Sequence, residues 1–335
     1  MTPPKNWQGP LRLRPQFTPQ SRTPWGGTRI SELYGRELGL PAGERVGEAW
    51  VLSLDPQFPS HVGSELLSEL VDATLLVKLL DAAEPLSVQI HPSDDYAGLK
   101  PGECGKPEAW YVVERDAGAG LFLGFREGVG AAEVRAALEV SDDVSRLMHF
   151  VPVEPGDFFV IEAGTPHAIG AGVTLVEPQR IIAGSSGVTY RYWDWGRRYD
   201  SAGVPSVNGK ARELHVDHAI AVTDWARVTH SSFVDTIRRR AGAPHLDGPA
   251  TVAVLAQHPS GSQTERAPSP AGSTALVSAD LQVARLEGTG TCTLPAWSQV
   301  VMGLTVLAGS VQFANGEVVG RGETAALPEG AAGMT

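Results

Sequence analysis

Short apolar segments separated by turn residues dominate the chain, and they predict strands more often than helices. Strands are expected over 75–80, 86–90, 111–114 and 120–125, where apolar residues run together between polar or glycine-rich stretches. From Val151 onward the same succession of short strands and turns returns. The pattern therefore favours a mainly β fold.

Three regions have helical spacing instead. Over 64–73 the leucines fall on one helix face, and Ser64 is suited to cap the first turn. Residues 130–150 predict a helical region, as one helix or two short ones, and 211–226 predict an amphipathic helix or a strand–turn segment. We therefore expect a few short α-helices among the strands.

A turn–strand–turn unit occurs twice in the chain. Residues 156–164 and 322–330 each contain a glycine, an acidic residue, an apolar-rich strand and a closing glycine at the same spacing. Such units are typical of a jelly roll, the double-stranded β-helix of cupins. Only the first copy continues into a histidine, His167, so only this copy is expected to hold a metal.

The predicted fold is thus mainly β, built from cupin-like jelly-roll domains with a few short α-helices. Residues 1–235 are expected to form a metal-bearing catalytic domain, with a helical insert near 130–150. Residues 236–335 are expected to form a C-terminal β domain, a degenerate jelly roll.

The charge balance excludes some classes of partner. Of 335 residues, 27 are Lys or Arg and 38 are Asp or Glu, which gives a net charge of −11 with neutral histidine. An acidic chain without a basic block is a poor candidate for binding nucleic acid or an anionic membrane surface. An anionic substrate would therefore need a locally positive pocket.

Neither the N-terminal residues nor the cysteines indicate secretion. The first residues lack a basic region followed by an apolar stretch, and no apolar run approaches the roughly 18 residues of a membrane span. Cys104 and Cys292 lie far apart in sequence, which fits a reducing cytoplasm better than a disulfide framework. We expect a cytoplasmic chain and, since no interface stripe is visible, a monomer.

Four polar residues have settings typical of metal ligands. Gln89 and His91 stand two apart on a predicted strand and point to the same side. Glu108 precedes another strand, and His167 lies in a glycine-rich turn between strands. Zinc suits two imidazoles, one carboxylate and one amide oxygen. Each residue alone also fits a polar strand edge, a surface turn or a hydrogen-bonded turn histidine.

Seven motifs occur in one order within residues 10–225. They are Pro-Trp-Gly-Gly (24–27), Gly-Glu-Ala-Trp (47–50), Lys-Leu-Leu-Asp-Ala (78–82), Leu-Ser-Val-Gln-Ile-His-Pro (86–92), Gly-Lys-Pro-Glu-Ala-Trp-Tyr (105–111), Ala-Gly-Thr-Pro-His-Ala-Ile-Gly (163–170) and Thr-Tyr-Arg (189–191). This ordered set resembles the type I mannose-6-phosphate isomerase (phosphomannose isomerase) family in its short bacterial form. The C-terminal third resembles that family only loosely.

The resemblance implies a cupin-like fold, one zinc ion per chain and a sugar phosphate as substrate. It implies interconversion of mannose 6-phosphate and fructose 6-phosphate through a cis-enediol or enediolate. The family's metal ligands fall on Gln89, His91, Glu108 and His167, the set already proposed. Its remaining pocket residues fall on Arg191, Lys106, Lys78 and Glu177 for catalysis and on Ser87, Lys78 and Arg191 for substrate binding.

The chain departs from the family pattern over 178–188. A Gly/Ser turn stands where family members often carry a Gln/Asn-Ser-Asp stretch before the Thr-Tyr-Arg motif. The resemblance leaves the catalytic base open among Lys106, Lys78, Glu177 and a zinc-bound hydroxide. Without it, a surface lysine at a strand end is favoured for Lys78, and a salt bridge to Asp194 or Asp200 is favoured for Arg191.

Two other functions compete with the isomerase. The first is a metal-dependent dioxygenase of the cupin class, although Gln89 stands where such enzymes more often carry a histidine. The second is a non-catalytic or differently specific sugar-binding protein that keeps the barrel. The complete ligand set argues against this second function.

Overall fold

The computed structural model of the chain describes residues 9–140, 143–240, 248–258, 275–294 and 301–327. The fold class is the predicted one, mainly β with a few short helices. Most strands are short, as the short apolar segments of the sequence predicted.

Strands in the N-terminal part of the chain build most of the two large sheets. In chain order they are β1 (Leu11–Leu13), β2 (Gln16–Phe17), β3 (Glu48–Leu52), β4 (His61–Val62), β5 (Glu65–Leu66), β6 (Leu75–Ala82), β7 (Val88–Ile90), β8 (Glu103–Cys104), β9 (Glu108–Arg115), β10 (Gly120–Phe125), β11 (Met148–Pro152), β12 (Phe158–Ile161), β13 (His167–Ile169), β14 (Val173–Arg180), β15 (Ser186–Gly187) and β16 (Tyr190–Trp193).

Further strands follow in the C-terminal part, and helices are interspersed along the chain. The strands are β17 (Arg238–Arg239), β18 (Thr251–Gln257), β19 (Leu276–Val277), β20 (Val283–Glu287), β21 (Met302–Thr305), β22 (Ser310–Gln312), β23 (Val318–Gly320) and β24 (Thr324–Leu327). The helices are α1 (Arg29–Leu38), α2 (Leu67–Leu70), α3 (Ala131–Glu139), α4 (Val216–Val222), α5 (Trp225–Val228) and α6 (Phe233–Ile237), with a 3-10 helix at Val144–Leu147. Among the described residues, no helix is long and apolar enough to cross a membrane.

Two large sheets face each other across the main core. The seven-stranded sheet has the order β17-β12-β9-β14-β6-β3-β2, and the five-stranded sheet has the order β11-β10-β13-β7-β16. Leu121 and Leu123 of the five-stranded sheet share one buried apolar cluster with Trp110 and Leu175 of the seven-stranded sheet. Two antiparallel sheets that enclose a common core are the arrangement expected of a jelly roll.

Helix α1 packs on the seven-stranded sheet and is capped by it. Ile30 is fully buried in a second apolar cluster with Leu52 of β3 and Ala326 of β24. The N-cap residue Thr28 makes no side-chain cap hydrogen bond, but a carboxylate oxygen of Asp81 accepts the first helical N–H at 2.8 Å. A carboxylate at this position also interacts favourably with the helix dipole.

Contacts between the two ends of the chain cross the predicted domain boundary. Strand β1 pairs with β24, and β17 pairs with β12 of the seven-stranded sheet. The small sheet β19-β18-β20 places Leu255 and Leu281 against Ala109 and Phe158 of the same large sheet. The division of the chain into two domains at residue 235 therefore stays a prediction.

Most predicted elements match the structure; the exceptions are one early helix and the end of the 130–150 region, where β11 begins at Met148. Within 64–73 only Leu67–Leu70 is helical, because Glu65–Leu66 pairs with His61–Val62 in a hairpin around Gly63. The 130–150 region contains α3 and the 3-10 helix, and 211–226 contains α4 and α5. Both turn–strand–turn units contain strands, β12 and β24, although 328–330 lie outside the described residues.

We expect Leu52→Ala to lower the free energy of unfolding by about 2–4 kcal/mol, because it opens a cavity in a core that joins α1, β3 and β21. Leu214→Ala, at a leucine that is 43% exposed, is the matched control and should change it by less than about 1 kcal/mol. Denaturant titration measures both. Equal losses would contradict the assigned core.

Candidate metal centre

Two histidines reach the centre from neighbouring strands of the five-stranded sheet. His91 directly follows β7, and His167 begins β13 after a tight turn. Gly164 occupies that turn with φ 76°, a left-handed conformation that favours glycine, and its N–H donates to the carbonyl of His91 at 2.9 Å. The turn therefore ties the two ligand segments together.

Backbone carbonyls orient both imidazole rings. Nδ1 of His91 lies 2.9 Å from the Val188 carbonyl, and Nδ1 of His167 lies 2.8 Å from the Thr165 carbonyl. Since a carbonyl only accepts, each Nδ1 carries the proton and donates it. Each neutral ring is left with a lone pair on Nε2, the form that binds a metal.

Glu108 enters from the opposite sheet, as the first residue of β9. Its side chain is fully buried. One carboxylate oxygen, Oε1, lies 3.4 Å from Nε2 of His167, and the other, Oε2, lies 3.4 Å from Nε2 of His91. Lys106 Nζ lies 3.3 Å from Oε2 and supplies an opposite charge.

These three side chains fit a divalent cation. Their ligand atoms all lie within 4.8 Å of one another. Nε2 of His91, Nε2 of His167 and Oε1 of Glu108 are buried and have no hydrogen-bond partner. Three converging acceptors without a donor would be costly to bury, and a cation satisfies all of them at once.

The pKa shifts keep the three groups in their metal-binding forms. Burial lowers the pKa of His167 to about 3, and burial with the charge of Lys106 lowers the pKa of His91. Burial alone would raise the pKa of Glu108, but Lys106 and His91 outweigh it and hold that pKa well below its usual value. At neutral pH both rings are therefore neutral and the carboxylate is charged.

Gln89, the fourth predicted ligand, lies on β7 of the five-stranded sheet, between β13 and β16. It stands directly opposite His167 on one neighbouring strand and opposite Arg191 on the other. Directly opposed residues place their side chains on one face of a sheet. The backbone thus puts Gln89 on the face that carries His167, and its role as a ligand stays a prediction.

The segment that departs from the family pattern forms one wall of the centre. Val188 supplies the carbonyl that orients His91, and its own N–H donates to the Cys104 carbonyl. Gly187 lies against the Lys106 side chain so closely that a Cβ there would sit 2.9 Å from Lys106 Cγ. This segment therefore restricts the positions of both the His91 ring and the Lys106 side chain.

Carboxylates surround Lys106 and keep it charged. Burial alone would lower its pKa, but Glu108, Glu177 and Glu48 outweigh that effect and raise the pKa above the usual value for lysine. Lys106 is thus an ammonium group in the metal-free protein, held beside a metal-ligating carboxylate.

A second acid–base pair lies beside the centre on the seven-stranded sheet. Lys78 and Glu177 are directly opposed on β6 and β14, both buried, with Nζ 3.6 Å from a carboxylate oxygen. Nζ also lies 4.4 Å from the ring centroid of Trp50, a cation–π distance. Lys78 is therefore an interior residue and not a surface lysine. Burial and the charge of Glu108 raise the pKa of Glu177 to about 7.

Arg191 is held by neutral partners. Its Nε donates to the Ser87 hydroxyl at 3.2 Å, and its Nη1 donates to the Glu213 carbonyl at 2.8 Å. Asp194 instead takes Arg197 and Arg212, each at 2.6 Å. The structure thus joins two of the predicted substrate-binding residues, Arg191 and Ser87.

Sequence reasoning missed two residues that contact the centre's carboxylates. Gln179 donates from Nε2 to both Glu108, at 2.9 Å, and Glu177, at 2.7 Å. Trp110 donates from Nε1 to Glu177 at 3.1 Å. Each stands two residues from a predicted site residue on the same strand, and this same-face spacing was the available signal.

Curated relatives identify the family. A mannose-6-phosphate isomerase of Streptococcus mutans is 35% identical over 216 residues, which is 59% of this chain and 63% of that protein. The chain thus spans slightly less than two thirds of that relative. A probable mannose-6-phosphate isomerase of Bacillus subtilis is 34% identical over 232 residues, 64% of this chain and 68% of the relative. No protein-family model matches.

Solved structures match nearly the whole chain. The crystal structure of the mannose 6-phosphate isomerase of Bacillus subtilis is 25% identical, with a TM-score of 0.70 over 98% of this chain and 96% of that one. A zinc-bound mannose 6-phosphate isomerase, at 14% identity and a TM-score of 0.57, shares the fold over 98% and 96%. The predicted cupin fold and the predicted family are both confirmed, and the chain belongs to the mannose-6-phosphate isomerases.

Proposed function

We propose that the chain is a zinc-dependent aldose–ketose isomerase that interconverts mannose 6-phosphate and fructose 6-phosphate. The observation that carries this proposal is the set of three buried, unpartnered acceptors on His91, Glu108 and His167, with Lys106 beside them. A protein that only bound sugars would have no need to keep such a set, so the non-catalytic alternative is not favoured.

His91, Glu108, His167 and Gln89 would hold the metal. Two imidazoles and a carboxylate are a common ligand set for catalytic zinc, and Gln89 adds an amide oxygen. Zinc bound there supplies a Lewis acid that stabilises negative charge developing on substrate oxygens. The carbonyls of Val188 and Thr165 orient both rings before any metal arrives.

Arg191, Ser87 and Lys78 are proposed to bind the sugar phosphate. A guanidinium group offers a planar set of donors that suits phosphate or sugar oxygens, and the hydrogen bond to Ser87 restricts its orientation. Lys78 adds a buried positive charge. These cations make a local pocket for an anion inside a chain whose net charge is −11.

Proton transfer is proposed to involve Lys106, Lys78 and Glu177. The isomerisation moves one proton between C1 and C2 and one between their oxygens, through a cis-enediol or enediolate. One group that removes a carbon proton and returns it to the neighbouring carbon, and one that moves the proton between the two oxygens, satisfy this balance. Glu177, with its pKa raised to about 7, exchanges protons readily near neutral pH. Lys78 Nζ lies 3.6 Å from its carboxylate, and Lys106 lies beside the neighbouring carboxylate of Glu108.

We also propose a cytoplasmic monomer. Cys104 and Cys292 are both free thiols, as a reducing compartment would keep them. Large apolar side chains that are exposed are spread along the chain, from Val140 to Val318. Light scattering of the purified protein tests the monomer.

Purified protein should contain about one zinc ion per chain and convert mannose 6-phosphate to fructose 6-phosphate in a coupled assay. Chelation should abolish turnover, and added zinc should restore it. Oxygen uptake serves as the control for the dioxygenase alternative and should be absent. Full activity of metal-free protein would refute the metal assignment.

His167→Ala should abolish zinc binding and turnover while the chain stays folded, because it removes one of three converging ligands. His230→Ala, at an exposed histidine, is the matched control and should keep both properties. Metal analysis, circular dichroism and the coupled assay report the outcome. A zinc-replete His167→Ala protein would place the metal elsewhere.

Gly187→Ala should lower kcat by about 10- to 100-fold, because the new Cβ displaces the Lys106 side chain. Ser186→Ala, at the exposed neighbour on the same short strand, is the matched control and should leave kcat nearly unchanged. Steady-state kinetics distinguish the two variants. Equal kcat values would mean that the position of Lys106 has no effect on catalysis.

A further inference from the structure

Gln179 lies between the two buried carboxylates of the pocket. It is 1% exposed, and its Nε2 lies 2.9 Å from Oε2 of Glu108 and 2.7 Å from Oε2 of Glu177. An amide nitrogen carries two hydrogens, so one goes to each carboxylate. Because both neighbours are acceptors, the nitrogen and not the oxygen must face them.

The strand register of the seven-stranded sheet brings the Gln179 amide to both carboxylates. Gln179 on β14 stands directly opposite Glu108 on β9, and Glu177 stands two residues earlier on β14, on the same face. Strand β14 lies inside the seven-stranded sheet, hydrogen-bonded to β9 on one side and to β6 on the other. The amide is therefore held by a strand that is paired on both sides.

The bridge distinguishes the two carboxylate oxygens of Glu108. Oε2 receives the Gln179 hydrogen bond and the contact with Lys106, whereas Oε1 points to His167 without a hydrogen-bond partner. Rotation of the carboxylate would break the bond to Gln179. Oε1 is thus kept available as a ligand atom.

The same amide also sets the position of Glu177. That carboxylate accepts Trp110 Nε1 on Oε1 and Gln179 on Oε2, with Lys78 Nζ 3.6 Å away. Two donors on different oxygens define the plane of the carboxylate. A shift of Glu108 would therefore be passed through Gln179 to Glu177.

We propose that Gln179 is a positioning residue for the isomerisation, which joins the metal-ligating carboxylate of Glu108 to the proton-exchanging carboxylate of Glu177. This inference rests on the proposed function. Loss of the bridge removes one hydrogen bond from each carboxylate, so it weakens metal binding and slows turnover even when the metal site is filled. Outer hydrogen-bond partners of metal ligands typically contribute 10- to 100-fold to metal affinity or activity.

Gln179→Met tests the inference, because methionine keeps the length and volume of the side chain but donates no hydrogen bond. We expect its zinc dissociation constant, measured by chelator competition, to rise about 10- to 100-fold. At saturating zinc, kcat should fall by at least about tenfold while KM changes by less than about threefold, since Gln179 touches carboxylates and not the proposed substrate ligands.

Thr174→Val is the matched control. Thr174 is buried on the same strand, but its hydroxyl bonds Asp81 and Arg29, away from the centre. This variant should lose some thermal stability and keep zinc affinity and kcat within about twofold. A purely structural Gln179 would make Gln179→Met behave in the same way.

Gln179→Asn serves if the methionine variant does not fold. Asparagine keeps the amide on a stem one carbon shorter, so it cannot reach both carboxylates, and its zinc affinity and kcat should also fall. Wild-type zinc affinity and kcat in a folded variant would overturn the inference while leaving the isomerase intact. Wild-type protein that neither binds zinc nor turns over mannose 6-phosphate would refute the proposed function and the inference with it.

Discussion

The buried carboxylate of Glu108 is the group on which the centre depends. A charge taken out of water is stable only if it is paired, and Glu108 has Lys106 and Gln179 on one oxygen and His167 facing the other. Its charge in turn keeps Lys106 protonated in the metal-free protein and opposes ionisation of Glu177. The protonation states of Lys106 and Glu177 thus depend on the buried charge of Glu108.

The two large sheets contribute different residues to the centre. The five-stranded sheet supplies the histidines, and the seven-stranded sheet supplies Glu108, Gln179 and Glu177. The segment before β16 also contributes, because the Val188 carbonyl orients His91 and Gly187 leaves room for the Lys106 side chain. Most of these polar side chains are buried, which separates their charges from the acidic surface.

Local patterns predicted much of this arrangement. Apolar runs bounded by turn residues identified β6, β7 and β10 within a few residues, and chemical type with turn context identified His91, Glu108 and His167. The helix predicted over 64–73 was largely wrong, because pairing across the Gly63 turn competes with helical propensity and the spacing of leucines does not register that pairing. Gln179 was missed because its partner Glu108 lies 71 residues away in sequence.

The sequence by itself determined the class of fold, the family and the candidate metal ligands His91, Glu108 and His167, because apolar runs, turn residues and motifs can be recognised without knowing which strands pair. Only the tertiary structure decided which oxygen of Glu108 faces His167, that Lys78 is buried, and that Gln179 bridges two carboxylates. These features depend on the register of strands far apart in the chain, and register is settled by packing across the whole sheet.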